Sequence, residues 1–163
     1  MNLPRLFVAA LLALVLIGGA SAANAPDFTF RTDNGPLALQ SLRGKVVYLD
    51  YWASWCAPCR QSFPWMNEMQ ARYGDKGFVV IAVTVDADVA EARRFLAQYP
   101  AHFIVAYDPE GATARTLHLK GMPTSFLINR NGEIVSSHLG FREADKSKIE
   151  NAIKALLGTG TTI

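Results

Sequence analysis

The sequence predicts an α/β domain with a central mixed β-sheet and helices on both faces of that sheet. Short runs of β-branched and aromatic residues alternate with segments whose apolar residues recur at helical spacing, and the chain finishes with a hairpin and a helix. Strands joined through a helix run parallel, whereas the strands of a hairpin run antiparallel, so the sheet is expected to be mixed. The expected strands are residues 46–52, 78–85, 103–107, 124–129 and 133–139, and the expected helices are residues 56–73, 89–99, 110–117 and 143–157.

A short β-hairpin is expected ahead of the first long strand. Residues 28–30 and 37–39 are two short apolar runs, and Asp33-Asn34-Gly35-Pro36 between them is a turn sequence of the Asn-Gly type. This hairpin would form an N-terminal extension of the domain.

The first 22 residues have the pattern of a secretory signal peptide. A short basic segment precedes an uninterrupted apolar run, Leu6–Ile17, and small residues follow as Ala20-Ser21-Ala22. The apolar run is short for a membrane span, and the small residues suit cleavage directly after them. We therefore expect residues 1–22 to be a signal peptide, residues 23–163 to be one domain, and the mature protein to be exported. An uncleaved membrane anchor is the alternative.

The charge balance gives no indication of nucleic-acid binding. The sequence has 16 Lys and Arg against 14 Asp and Glu, a formal net charge of +2, and no run of basic residues. A near-neutral chain without a basic cluster lacks the electrostatic footprint of a nucleic-acid-binding protein. Nucleic acid is therefore not an expected partner.

The only two cysteines of the chain, Cys56 and Cys59, stand three positions apart. A disulfide that closes so short a loop stabilises a fold by only about 2 kcal/mol, which argues against a purely structural role. A structural zinc site needs further cysteine or histidine ligands, and the three histidines of the chain are isolated in sequence. A redox-active dithiol is therefore the favoured interpretation. A structural disulfide and a zinc site are the alternatives, and neither a metal nor a cofactor is expected.

The expected position of the pair at the start of a helix assigns different roles to the two thiols. Unpaired backbone N–H groups and the helix dipole favour a thiolate at Cys56, and the pKa of cysteines in such motifs falls to about 3.5 to 7.5. Cys59 lies one turn further along the same helix face, so we expect Cys56 to attack and Cys59 to resolve. Ala57-Pro58 offers no charged or hydrogen-bonding side chain, which favours a reducing rather than an oxidising potential.

One carboxyl group interrupts the most apolar predicted strand. Asp50 lies six residues before Cys56, in a run that otherwise suits burial on both faces. Burial of an unpaired carboxyl group raises its pKa because the charged form is poorly solvated. Such a group near Cys59 is suited to accept the proton of that thiol as it attacks. A solvent-facing aspartate at the strand end is the alternative.

Two motifs, in this order along the chain, resemble the thioredoxin superfamily. Leu49-Asp50-Tyr51-Trp52-Ala53-Ser54-Trp55-Cys56-Ala57-Pro58-Cys59 resembles the active-site strand and turn, and Gly121-Met122-Pro123-Thr124 resembles the cis-proline loop. The resemblance extends from about residue 27 to residue 157 and implies a thioredoxin fold. It also implies that Pro123 is cis and lies beside the dithiol, and that the Met122 backbone and Trp55 contact the substrate.

Further features are similar to the TlpA/ResA-like periplasmic disulfide reductases. They are the export signal, the hairpin that leads to Leu42-Arg43-Gly44-Lys45, and Phe126-Leu127-Ile128-Asn129 followed by Asn131-Gly132. This resemblance implies a protein-disulfide reductase of the bacterial cell envelope, a thiol–disulfide oxidoreductase whose substrates are disulfide-bearing exported proteins. A membrane thiol-electron donor of the DsbD or CcdA type would supply its electrons. Apocytochrome c in cytochrome c biogenesis, a copper-site protein and misoxidised proteins all fit as substrates.

Three positions depart from relatives in this superfamily. The strand Val79–Val85 has no lysine where thioredoxins commonly carry one near the buried aspartate, which leaves the tuning of Asp50 open. Asp86-Ala87-Asp88 stands where some ResA-like members place a glutamate, so a catalytic role for either aspartate is open. Thr124 follows the cis proline, where thioredoxins of cytochrome c maturation often have an acidic residue, and this weakens that narrower assignment.

Two other functions belong to different classes. Copper delivery occurs in related folds, but those relatives resemble a Cys-x-x-x-Cys arrangement, and here two residues separate the cysteines. Peroxidase activity occurs in peroxiredoxins, which resemble Thr-x-x-Cys around the reactive thiol, and here Ala53 occupies the threonine position. Both are alternatives to the reductase.

Overall fold

The structure is a computed structural model and describes residues 23–158; the predicted signal peptide, residues 1–22, lies outside the described residues. Within residues 23–158, no helix has the length and apolar character needed to span a bilayer. The strands are β1 (Ala23–Asn24), β2 (Thr29–Thr32), β3 (Gly35–Ala38), β4 (Val46–Trp52), β5 (Phe78–Thr84), β6 (Ile104–Tyr107), β7 (Thr124–Ile128) and β8 (Glu133–Leu139). The helices are α1 (Cys59–Tyr73), α2 (Val89–Gln98), α3 (Ala112–Thr116) and α4 (Lys146–Gly158), and short 3-10 turns precede β4, β5 and α4.

The strands form one mixed sheet in the order β1-β8-β7-β4-β5-β6-β2-β3. β4, β5 and β6 are parallel because α1 and α2 return the chain across the sheet between them. β7 runs antiparallel to β4 and pairs with β8 in the C-terminal hairpin. The mixed α/β architecture predicted from the sequence is confirmed.

β4 lies in the interior of the sheet, and both of its faces are covered. All seven of its residues are buried. Because side chains alternate along a strand, Tyr48 and Trp52 face the core that contains α1, α2 and α4, whereas Leu49 and Tyr51 face the core that contains α3 and the N-terminal segment. Burial on both faces explains why this strand is a continuous apolar run in the sequence.

The N-terminal hairpin extends the main sheet. The two-residue turn Asp33-Asn34 joins β2 and β3, and β2 pairs antiparallel with β6. The predicted strands, residues 28–30 and 37–39, are displaced by one or two residues because Pro36 lies within β3, opposite Arg31, instead of in the turn. Proline is tolerated at this position because β3 is an edge strand.

Two helix starts differ from the prediction. α1 begins at Cys59, so the predicted start at Cys56 is wrong: the residues before Cys59 form a turn in which Pro58 takes the N-cap position. α4 begins at Lys146 because residues 143–145 form a separate 3-10 turn. β1, which the sequence did not predict, pairs antiparallel with β8. The remaining elements match their predicted bounds within two residues.

Aromatic packing fixes α1 and α2 on the sheet near the C-terminal end of β4. The ring centroids of Trp52 and Phe63 are 4.9 Å apart, those of Trp52 and Phe95 are 4.7 Å apart, and those of Phe63 and Phe95 are 5.0 Å apart. Such pairs stabilise a core by about 0.5–1.5 kcal/mol each beyond their burial. Because Phe63 belongs to α1 and Phe95 to α2, this contact holds both helices against the end of β4.

Candidate active site

The two cysteines lie in the short connection between β4 and α1. Their Cα atoms are 5.4 Å apart and their sulfur atoms 2.05 Å apart, so the pair is a disulfide. Backbone hydrogen bonds close the turn: the N–H of Cys56 donates to the Ala53 carbonyl at 3.0 Å, and the N–H of Cys59 donates to the Cys56 carbonyl at 3.2 Å. These bonds fix the position of each thiol relative to the end of β4.

No acidic residue of α1 itself competes for the N-terminus of this helix. Its N-cap, Pro58, makes no side-chain capping bond, and the first turn contains no acidic residue. The N–H groups of Arg60 and Gln61 donate to carbonyls of the turn, at 3.2 and 3.0 Å. The positive end of the helix dipole therefore acts on the cysteines themselves, and a thiolate is the anion that this helix end favours once the disulfide is reduced.

The exposure of the pair is one-sided. Cys59 is fully buried and Cys56 is 3 % exposed, whereas the neighbouring Trp55 is 69 % exposed. Ala57 and Pro58 are also exposed. The accessible surface next to the disulfide therefore lies on the side of Trp55, Ala57 and Pro58. Attack by Cys56 and resolution by Cys59 fit this arrangement and stay a prediction.

Asp50 lies inside the protein, on the face of β4 that carries Tyr48 and Trp52. It is 1 % exposed, and its Oδ2 atom has no hydrogen-bond partner among the described residues. Its neighbours on the adjacent strands are Ala82 of β5 and Ser125 of β7, and neither is charged. Burial raises the pKa of Asp50 well above its ordinary value. The alternative of a solvent-facing aspartate is therefore wrong.

Asp50 and the dithiol share one layer of the core. Cys56 and Cys59 belong to the same apolar cluster as Tyr48 and Trp52, the residues that flank Asp50 on its face of β4. Nε1 of Trp52 is a second buried polar atom without a hydrogen-bond partner in the described part of the chain. An isolated charge is costly in such a layer, so a proton that leaves one buried group is most easily taken up by another.

Asp86, whose role the sequence left open, anchors the active-site turn. Its buried carboxylate accepts hydrogen bonds from the Ser54 backbone N–H at 2.9 Å, from the Ser54 hydroxyl at 2.9 Å and from the Thr84 hydroxyl at 2.8 Å. Ser54 lies in the turn and Thr84 ends β5, so one carboxylate joins the turn to the neighbouring strand. Asp88 is exposed and instead caps α2, where it accepts from the Ala90 N–H at 2.9 Å.

The contact between Asp86 and the active-site turn can be predicted from the topology of the sheet. β4 and β5 are parallel strands joined by a helix, so their C-terminal ends meet at the same edge of the sheet. A carboxylate that directly follows β5 is therefore brought beside the turn that directly follows β4. Sequence spacing alone does not distinguish Asp86 from Asp88, because both lie in this loop.

The cis-proline loop lies next to the start of the active-site turn. The Met122–Pro123 peptide bond is cis, as the resemblance implies. Pro123 precedes β7, whose first residue, Thr124, pairs with Tyr51 near the end of β4. The Thr124 hydroxyl donates to the Gly121 carbonyl at 2.7 Å and closes the loop. Met122 is half-buried, and its contact with a substrate stays a prediction.

Apolar side chains are exposed around this site. Of the three large hydrophobic residues that are exposed in the described part of the chain, Trp55 adjoins Cys56 and the 59 % exposed Leu139 adjoins the cis-proline loop. Leu139 lies so close to Gly121 that a Cβ atom on this glycine would stand 3.4 Å from its Cδ1.

Among residues 23–158, no group of three or more His, Cys, Asp or Glu side chains is arranged to hold a metal ion. The dithiol therefore has no third ligand placed with it in this part of the chain. A copper site of two cysteines and one histidine is not favoured by this geometry.

Comparison with known proteins agrees with this site. The family model described as Redoxin matches residues 20–153. The thiol-disulfide oxidoreductase ResA of Bacillus anthracis is 35% identical over 133 residues, which cover 81% of this chain and 76% of that protein. Similarity in sequence thus spans the dithiol, the loop after β5 and the cis proline.

Solved structures show the same fold. A Chlorobium tepidum protein, provisionally named as the thiol:disulfide interchange protein DsbE, has a TM-score of 0.82 and 57% identity, and the match covers 84% of this chain and 97% of that chain. The exposed lipoprotein thioredoxin Etrx1 of Streptococcus pneumoniae strain TIGR4 has a TM-score of 0.70 and 30% identity, covering 80% and 100%. The predicted thioredoxin fold and the predicted likeness to ResA-type thiol–disulfide oxidoreductases are confirmed. Because the Redoxin family model spans the described domain except its last few residues, the chain belongs to the Redoxin family.

Proposed function

We propose that this protein is a disulfide reductase of the bacterial cell envelope, in which Cys56 attacks disulfides of exported proteins and Cys59 releases the reduced products. The observation that carries the proposal is the Cys56–Cys59 disulfide, held at the start of α1 in one layer with a buried carboxyl group. The export-type N-terminal sequence supports the envelope location. The likeness to a pneumococcal protein described as an exposed lipoprotein thioredoxin also supports it.

The reaction begins with the reduced pair. The Cys56 thiolate attacks one sulfur of the target disulfide, forms a mixed disulfide with it and expels the other target sulfur as a thiolate. The N-terminus of α1 stabilises the attacking thiolate. Trp55 and Leu139 provide apolar surface for the polypeptide around the target disulfide.

Cys59 completes the reaction. Its proton passes to Asp50 as its sulfur attacks the Cys56 sulfur of the mixed disulfide. The second target thiolate leaves, the Cys56–Cys59 disulfide forms, and two electrons have moved from the pair to the target. Because burial raises the pKa of Asp50 well above its ordinary value, the proton transfer is easier than to an ordinary aspartate.

The oxidised pair then needs two electrons from outside the chain. A membrane thiol donor of the DsbD or CcdA type would supply them by attack of its own thiolate on the exposed side of the disulfide, at Cys56. The substrates are disulfide-bearing exported proteins, and the haem-site cysteines of apocytochromes c are one candidate among them.

Asp86 acts in this mechanism as a positioning residue. Within residues 23–158 it forms no hydrogen bond with either sulfur, but it holds Ser54, two residues before Cys56, through a backbone and a side-chain hydrogen bond. Small displacements of a reacting group slow a reaction strongly, because the attack geometry of the sulfur atoms is narrow.

Cys59→Ser should accumulate mixed disulfides on Cys56, because the resolving thiol is absent. We expect covalent adducts that disappear on reduction and whose partners are exported proteins, detected by non-reducing electrophoresis and mass spectrometry. The matched variant Cys56→Ser retains only the fully buried thiol and should trap about tenfold less. Equal trapping by the two variants would contradict the division of roles, and partners that are all cytoplasmic would contradict the envelope location.

Asp50→Asn should slow resolution by about 100-fold near neutral pH, because the proton acceptor is lost. The wild-type rate should rise with pH as Asp50 ionises, and the variant should lack this rise. The measurement is the decay of a Cys56–glutathione mixed disulfide, followed by stopped-flow fluorescence over about pH 5 to 9. An unchanged rate with an unchanged pH profile would exclude Asp50 as the acceptor.

The same substitution should stabilise the fold at neutral pH. Because the folded-state pKa of Asp50 is raised, the folded protein favours the protonated form. The contribution of Asp50 to wild-type stability is therefore greatest below its unfolded pKa and falls as pH rises towards its folded pKa. Asparagine has no charge to bury, so Asp50→Asn should unfold at a higher urea concentration at neutral pH, with the difference narrowing towards about pH 4. A less stable variant at neutral pH contradicts this reasoning.

Asp86→Ala should lower the rate constant for reduction of a small disulfide substrate by about tenfold, because the turn loses its anchor. Asp86→Asn keeps an acceptor oxygen for Ser54, so its rate constant should fall by less than that of Asp86→Ala. Asp88→Ala is the matched control: it removes the cap of α2, costs about 1 kcal/mol of stability and should leave the rate within about twofold. Comparing rates with free energies of unfolding separates positioning from stability. A similar rate loss in Asp88→Ala would refute the positioning role.

A further inference from the structure

An open groove of about 420 Å³ lies between α3 and the cis-proline loop. Val85, which directly follows β5, lines it together with Leu119 and Met122, and these three side chains give it an apolar floor. Met122 also precedes the cis proline, so the groove reaches the loop that lies next to the start of the active-site turn. The two thiol-exchange steps described above do not use it.

The rim of this groove is basic. Arg115, His118 and Lys120 line it with exposed side chains, and none of them forms an ion pair within residues 23–158. Arg115 donates from Nη1 to the backbone carbonyl of Glu110 at 2.5 Å. Asp108 is buried, and its oxygens accept hydrogen bonds from backbone N–H groups at the start of α3. The positive charge on the rim is therefore available to a partner.

His118 occupies a backbone position that favours glycine. Its φ is 53°, and it follows α3 where the helix ends: its N–H donates to the Arg115 carbonyl at 2.9 Å, and the N–H of Leu119 donates to the Ala114 carbonyl at 3.2 Å. A side chain with a Cβ atom costs free energy in this region, although histidine tolerates it better than most residues. The imidazole is thus kept on the rim at a cost in local stability, which points to a role for the side chain.

We propose that this groove binds a segment of the target protein that carries Asp or Glu next to an apolar residue, close to the disulfide to be reduced. The proposal rests on the reductase function above and specifies which targets are preferred. The floor accommodates the apolar side chain, and the rim attracts the carboxylates, because a concave site lined by one sign of charge concentrates partners of the opposite sign. A target segment at Met122 reaches the groove directly, because this residue lines it.

Two synthetic peptides test this preference. They share their length, an intramolecular disulfide and a leucine beside it, and differ only in flanking residues, which are glutamates in one and lysines in the other. The reduced protein is mixed with each peptide, and its oxidation is followed by tryptophan fluorescence. We expect the acidic peptide to be reduced about tenfold faster at low salt, with most of this difference lost in about 0.5 M NaCl.

Lys120→Glu and Lys45→Glu form a matched pair, because both change the net charge by the same amount. Lys45 directly precedes β4 and lies about 20 Å from the dithiol end of this seven-residue strand. Lys120→Glu should slow reduction of the acidic peptide by about fivefold and so lower the preference from about tenfold to about twofold. Lys45→Glu should keep the preference within about twofold of the wild type, since a distant surface charge is screened.

His118→Gly separates recognition from folding, because glycine is favoured at this φ. We expect this variant to melt at the same temperature as the wild type or at a higher one. Its preference for the acidic peptide over the lysine peptide should fall by about twofold. Equal reduction of the two peptides by the wild type, or equal responses of Lys120→Glu and Lys45→Glu, overturns the groove proposal and leaves the reductase function standing. If the wild type reduces neither of the two peptides, the reductase function is overturned, and the groove proposal with it.

Discussion

Complete burial of β4 is the constraint on which the site depends. All seven residues of this strand are buried, and α1 helps to cover the face that carries Asp50. Only residues 53–58 connect the strand to the helix, which leaves Cys56 in the turn and Cys59 at the helix start. The packing that excludes water from this core therefore also raises the pKa of Asp50 and places both thiols in its layer.

Three neighbouring strands contribute to the chemistry at one edge of the sheet. β4 leads into the dithiol, β5 leads into Asp86, and β7 follows Pro123. Asp86 fixes the turn from one side, and the closed cis-proline loop lies on the other. In the absence of a lysine on β5, the neighbour of Asp50 on that strand is Ala82, so burial alone tunes its carboxyl group.

Local sequence patterns predicted the elements of this site better than the contacts between them. The bounds of β4 were predicted correctly because a continuous run of β-branched and aromatic residues is typical of a strand that is buried on both faces. The start of α1 was placed three residues early because helical spacing continues through the turn before Cys59, and Pro58 is compatible with a first helical turn. The bonds of Asp86 to Ser54 join residues 32 positions apart, and the pairing of Arg31 in the N-terminal hairpin with Tyr107 of β6 joins residues that lie still further apart in the sequence. Such contacts depend on topology, which no local pattern contains.

The reduction potential of the Cys56–Cys59 pair tests the central claim most directly, because it decides whether the pair gives or takes electrons. Ala57-Pro58 offers the reduced pair no charged or hydrogen-bonding side chain, so we expect the N-terminus of α1 to be the main group that stabilises the thiolate. Equilibration of the protein with glutathione, followed by tryptophan fluorescence, gives the value. We expect a potential near that of thioredoxin, about −270 mV, and a value near that of the oxidant DsbA, about −120 mV, would contradict a reductase.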